Sequence, residues 1–240
     1  MNRRHVLGML GGTLAMGPLS RPARAGEKKA GVRLMFAIDS SASVHDDMFA
    51  LQVRGTAASL IDSGIARTVA GFPDGIDILA YAWGDVLQEA VLLPWTSVRT
   101  ASDCVRAASV LAASARPFRG LATGINWALS CARQLNANAP REALRTVLDI
   151  SGDGRSNMLP ISMATAPQAA VVVGTLGAER NSALDEGMVI NAIAIPGREA
   201  GLSEYQRQNV IGGAGSFAAE VSGEREYPAI LRRKILLEIA

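Results

Sequence analysis

Val32-Arg33-Leu34-Met35-Phe36-Ala37-Ile38-Asp39-Ser40-Ser41-Ala42-Ser43 is the stretch on which the reading of the fold turns. Residues 32–38 form an apolar run of strand length, and Asp39, Ser41 and Ser43 then follow at every second position. In extended backbone those three side chains point the same way. Downstream, Phe49, Val53, Ala57, Leu60 and Ile61 recur at helical spacing, which predicts a helix over residues 46–63 stopped by Gly64. A strand, an oxygen-rich turn and a helix therefore open the globular part of the chain.

Working outward, residues 76–83 read as a second buried strand. Residues 87–93, reached through Gly84-Asp85, read as a strand pairing antiparallel with it. Helices are predicted at about residues 102–114 and 124–136, strands at 145–150 and 189–195, and a short edge strand at 216–219. Pro228 opens a last helix with Leu231, Ile235 and Ile239 on one face. Arg232, Arg233 and Lys234 fall mostly on the other face, read as a solvated one. Residues 158–186 are Ala-rich and Pro-interrupted, and Val171-Val172-Val173 within them suits strand or helix equally. Strands alternating with helices predict an α/β fold: a doubly wound, mostly parallel central sheet with one antiparallel edge strand and helices on both faces. In such folds ligands sit at the carboxyl ends of the strands, where the strand order reverses.

The first residues carry an export signature. Arg3-Arg4, an apolar run of 14 residues from Val6 to Leu19 and Ala23-Arg24-Ala25 read as a signal peptide over residues 1–25, with twin-arginine export as the expected route and a general secretory signal as the alternative. The run is shorter than the ~20 residues that span a bilayer, so no membrane anchor is expected and the mature domain is residues 26–240, periplasmic or secreted. Residues 1–25 hold four arginines and no acid, so the chain's 24 basic residues fall to 20 against 22 acidic ones, a net charge of −2. No basic stripe remains to bind nucleic acid.

After export one histidine remains, His45, and no C-x-x-C pattern occurs, so zinc, haem and thiol redox sites lack ligands. Cys104 and Cys131 are expected to pair in an oxidising compartment; the alternative is two small buried hydrophobes.

Asp39, Ser41 and Ser43 suit a hard cation such as Mg2+, which prefers oxygen ligands. Alone, the loop is equally a Ser-rich helix cap. Two more segments favour the metal: Ser151-Gly152-Asp153-Gly154 follows another predicted strand, and Gly120-Leu121-Ala122-Thr123 precedes a predicted helix. A serine hydrolase would need a base, and His45 reads as a solvated residue at a helix start. No G-x-S-x-G or P-loop pattern occurs.

These residues resemble the von Willebrand factor type A family, whose metal ion-dependent adhesion site combines a D-x-S-x-S loop, a Thr and an Asp-Gly. The likeness extends through Phe36 to Val44, Pro94-Trp95-Thr96, Thr123 to Leu129, Asp149 to Gly154 with Asn157, and Asn209 to Gly213, and looks closest to an exported bacterial branch of unknown function. The resemblance implies Asp39, Ser41, Ser43, Thr123 and Asp153 as metal residues, with Mg2+ as the ion and Mn2+ or Ca2+ as alternatives. It further implies a binding module, not an enzyme, that takes a Glu or Asp carboxylate from a protein partner. A periplasmic metal-assisted hydrolase and a structural domain with a vestigial site are the competing readings. Two departures stand out: Asn126-Trp127, where relatives carry small residues and Trp127 is expected to pack on the sheet, and the longer stretch 161–178.

Overall fold

The computed structural model describes residues 28–158, 161–162, 172–195 and 199–240. The expected signal segment and the middle of the 161–178 stretch, Val171 included, lie outside the described residues. Six strands form the main sheet: β1 (Ala30–Asp39), β2 (Ile76–Trp83), β3 (Glu89–Val98), β4 (Ala143–Gly152), β7 (Met188–Ala194) and β8 (Ala218–Glu220). Two short strands, β5 (Ile161–Ser162) and β6 (Val172–Val173), pair antiparallel beside it. The sheet order is β3-β2-β1-β4-β7-β8, with every pairing parallel except β2 with β3. The doubly wound sheet with one antiparallel edge is the architecture expected from the alternating pattern. β1 is flanked by β2 and β4, so the order reverses between β1 and β4.

Alternation along β1 divides the core. Val32, Leu34, Phe36 and Ile38 face one layer, built with α1 (Asp46–Leu60), α2 (Ser63–Ala70), α3 (Ala101–Ala112) and α7 (Tyr227–Ile239). Met35 and Ala37 face the other, built with α4 (Ile125–Ala137), α5 (Leu176–Asp185) and α6 (Leu202–Asn209). Trp127 packs in this second layer, as expected, and its indole N–H donates to Glu89 at 3.1 Å. Pro94 is accommodated because β3 is an edge strand and its register with β2 is irregular there. Gly55 in mid-α1 permits a close helix crossing: a Cβ there would sit 2.7 Å from the Tyr227 ring of α7.

Four expectations need correction. Gly64 does not stop a helix. The first helix ends at Leu60, and Asp62 starts α2 by accepting from the backbone N–H groups of Gly64 and Ile65. Helices α5 and α6 were not predicted; Thr175 caps α5 by accepting from Ala178 N–H. Cys104 and Cys131 are free and buried in opposite core layers, so the sheet stands between them and the expected bridge is not made. Lys234 is not solvated: it is 1% exposed, with Nζ 2.8 Å from Asp149 and bonded to Glu238.

That last cluster sets a pH dependence. Its groups are Lys234 and Glu238 of α7, Asp149 of β4 and Asn191 of β7, whose amide donates to Glu238 at 2.9 Å. The Phe217 ring lies 5.0 Å from Lys234 Nζ, and Tyr227 adjoins Asp149. One ammonium meets two carboxylates. Burial, and secondarily the charge of Asp149, push Glu238 up to about 7, against the pull of Lys234. A carboxyl whose folded-state pKa exceeds its unfolded value contributes stability that is full below the unfolded value, here about 4.5, and is lost as pH rises through about 7. Urea midpoints should therefore fall between pH 5 and pH 8, and Glu238→Gln should flatten part of that fall, because burial raises the carboxyls of Asp149 and Asp39 as well. An unchanged slope in the variant would assign the effect elsewhere.

Candidate metal centre

Asp39 is the last residue of β1 and Asp153 follows β4, the two strands between which the sheet order reverses. Parallel pairing of β1 with β4 thus brings together two carboxylates far apart in the chain. Asp39 is fully buried, and its Oδ1 accepts from the Ser41 N–H at 2.7 Å. Its Oδ2 accepts a longer bond, 3.4 Å, from the Asp153 N–H. The Ser43 hydroxyl donates to Asp153 Oδ1 at 2.5 Å, and the Ser41 and Ser43 hydroxyls stand 3.4 Å apart.

Thr123 closes the cradle from the loop before α4. Its backbone is held on both sides by Asn157, whose Oδ1 accepts from Thr123 N–H at 2.8 Å and whose own N–H donates to Thr123 carbonyl at 3.1 Å. A Cβ placed on Gly154 would lie 3.4 Å from Thr123 Oγ1. One placed on Gly152 would lie 3.0 Å from Asp39 Oδ2 and 3.5 Å from the Trp83 ring, so the Ser-Gly-Asp-Gly spacing keeps the backbone close to the carboxylate. Asp39, Ser41, Ser43 and Asp153 are linked by hydrogen bonds into one cluster, and Thr123 approaches it at Gly154, the residue after Asp153. Ser43 is exposed; the other four are buried.

Burial pushes the Asp39 carboxyl up to about 7, and the neighbouring Asp153 charge adds to the effect against the bonds from Ser41. A buried carboxylate in this position is stabilised by a cation. The donor set fits one: two carboxylates and three hydroxyls are hard oxygen ligands. Among the described residues no three His, Cys, Asp or Glu side chains gather into a metal group, so the hydroxyls are integral to the cradle.

Three supporting residues were missed from sequence. Gln52 is fully buried on α1; its Oε1 accepts from Asp39 N–H at 3.2 Å and its Nε2 donates to Asp39 carbonyl at 3.1 Å. Ser151 donates to the same Oε1 at 2.5 Å, tying β4 into the clamp. A glutamine between Phe49 and Val53 on the apolar face of a helix was the available signal. Arg116 donates to the carbonyls of Ser40 (3.1 Å) and Ser41 (3.0 Å), to the Ser40 hydroxyl (3.0 Å) and to Asp46 (3.0 Å). Leu121, two residues before Thr123, is 86% exposed. His45 is exposed at the start of α1 and makes no side-chain cap bond, as the sequence reading held.

The cradle can now be set beside known proteins. A comparison with curated proteins finds no match in sequence. Among solved structures, proximal thread matrix protein 1 from the mussel byssus is similar at a TM-score of 0.58 and 16% identity, over 88% of this chain and 48% of that one. A further structure of the mussel protein carries a zinc-occupied metal ion-dependent adhesion site. The pilus adhesin SpaC from Lactobacillus rhamnosus GG is similar at a TM-score of 0.61 and 14% identity, over 89% of this chain and 31% of that one. The von Willebrand factor domain of the pilus tip protein Mfa5 from Porphyromonas gingivalis aligns at 0.55 and 11%, over 89% and 98%. The chain thus spans about half of the mussel protein and a third of SpaC. At these identities the likeness establishes the fold, that of a von Willebrand factor type A domain. A family model matches residues 29–240, and the chain belongs to the family it describes, Protein of unknown function (DUF1194).

Proposed function

We propose that the protein is an exported, metal-dependent binding module and not an enzyme. The observation that carries this reading is the convergence of Asp39, Ser41, Ser43, Thr123 and Asp153 on one space at the switch point of the sheet. Mg2+ is the proposed ion, with Mn2+ or Ca2+ as alternatives, because every donor is a hard oxygen. The zinc in the mussel protein supports occupancy of such a cradle by a divalent cation. A cation held mainly by neutral hydroxyls stays electrophilic and takes a Glu or Asp carboxylate from a protein partner. The pilus adhesin among the similar structures fits that role, and so does Leu121, an exposed apolar side chain beside Thr123. Residues 1–25 are proposed as a cleaved signal, with export by the twin-arginine route and residues 26–240 as the working domain. No helix among the described residues is long and apolar enough to cross a membrane.

Calorimetric titration with Mg2+, Mn2+ and Ca2+ tests the ion. Asp39→Ala and Asp153→Ala should each lose metal binding while circular dichroism stays unchanged. Metal affinity preserved in both would sink the assignment.

Arg116 is a positioning residue, since it holds the carbonyls of Ser40 and Ser41 and not the ion. Removing such a support weakens a metal site by roughly tenfold to a hundredfold. Arg116→Ala should fall in that range, and Arg116→Lys should not restore affinity, because a single ammonium cannot reproduce the planar fork. Full rescue by lysine would contradict the positioning role.

A further inference from the structure

Beside the cradle, α1 and the segment that follows α3 part to leave a groove of about 500 Å3. Its floor is apolar, with Phe49, Val53 and Phe118, and its walls carry Arg54, Arg116 and Arg119 against one acid, Asp46. Both Arg116 and Arg119 pair with Asp46. Arg54 is exposed and has no ion-pair partner among the described residues. The lining therefore holds a surplus of two positive charges, in a chain whose residues 26–240 carry net −2. Arg116 joins the two places: its guanidinium lines the groove and donates to the carbonyl of Ser41, a cradle residue. None of the five cradle residues lines the groove.

We propose that this groove is a second subsite, which takes an acidic segment flanking the partner carboxylate that the metal binds. The inference rests on the metal-dependent reading above and names the class of partner: a protein segment in which the metal-binding Glu or Asp has acidic neighbours and an apolar side chain. The chemistry selects that occupant. Arginine forks at Arg54 and Arg119 match carboxylates in bidentate geometry. Phe49 and Val53 are almost wholly buried beneath the groove, and the apolar surface it offers is that of half-buried Phe118 with exposed Ala112 and Ala115, which an all-polar polyanion does not use. A site combining a charged rim with an apolar floor gains specificity from the first and buried area from the second.

Fluorescence anisotropy with two labelled peptides separates the subsites. One peptide carries a central Glu, flanking Asp residues and a Phe; in the other each flanking Asp is Asn. In Mg2+ the wild-type protein should bind the acid-flanked peptide about tenfold more tightly than the Asn-flanked one, with a margin that shrinks as salt screens the arginines. Arg54→Glu with Arg119→Glu should abolish that margin and leave the Mg2+-dependent binding of the Asn-flanked peptide intact. Both side chains are exposed, and matching thermal melts, or the milder Arg54→Gln with Arg119→Gln pair, establish that the fold is kept. Equal binding of the two peptides by wild type, or a margin that survives the double variant, overturns the groove. With Mg2+ kept in excess, competition by dextran sulfate, a polyanion that chelates Mg2+ poorly, as strong as by the acid-flanked peptide overturns its assignment to a protein segment. An Asn-flanked peptide indifferent to chelator, beside a margin that still needs the arginines, would instead overturn the metal reading and leave the groove standing.

Discussion

The structure depends on holding Asp39, a fully buried carboxylate, at the end of the central strand. Burying an ionised carboxylate without a partner costs several kcal/mol, and among the described residues no cationic side chain is bonded to this one. Its partners are backbone N–H groups at Ser41 and Asp153, each from a loop that must keep its path for the bond to persist. The clamp from Gln52 fixes the Asp39 backbone, and Arg116 fixes the next two carbonyls. Much of the neighbouring sequence is thereby explained: the small residues at 152 and 154, the buried glutamine on an apolar helix face, and an arginine far from the loop that it holds.

A second buried charge cluster resolves the same problem in the opposite manner. Asp149 lies on β4, four residues before Asp153, and meets Lys234 directly at 2.8 Å. There the cation is a side chain of α7, tethered and always present. Among the described residues Asp39 has no such ion pair, and its bonds are to backbone N–H groups. Strand β4 thus carries one acid paired within the fold, Asp149, and delivers a second, Asp153, just past its carboxyl end. A buried ion pair contributes little net stability but is costly to break, so Lys234 mainly ties α7 to β4.

The doubly wound sheet with its antiparallel edge, and the stretches that carry the cradle residues, were legible because each is a local pattern. An apolar run of strand length, hydroxyls at every second position, and glycines flanking an aspartate are all visible in single stretches. What was not legible depended on partners distant in the chain. Lys234 directly follows two arginines, and nothing in that run marks it as the one facing Asp149. The cysteines were expected to meet because their helices follow one another, but the crossover from α3 to α4 changes sides of the sheet. Helix α2 was lost because Gly64 reads as a stop, whereas Asp62 supplies two bonds that restart the helix past it.

Arg116 illustrates why the binding face is harder to read than the cradle. In sequence it is one of two arginines in a loop after α3, a position where a charged residue usually means solvent exposure. In the fold its guanidinium is largely enclosed, 5.9 Å from the Phe49 ring, and it spends its donors on Ser40, Ser41, Phe118 and Asp46. Those bonds fix the loop of the cradle and at the same time shape a wall of the adjoining groove. One side chain therefore couples the position of the cradle residues to the surface next to them. A change at Arg116 would alter both, which makes the groove and the cradle a single face physically, although no short stretch of sequence contains the two together.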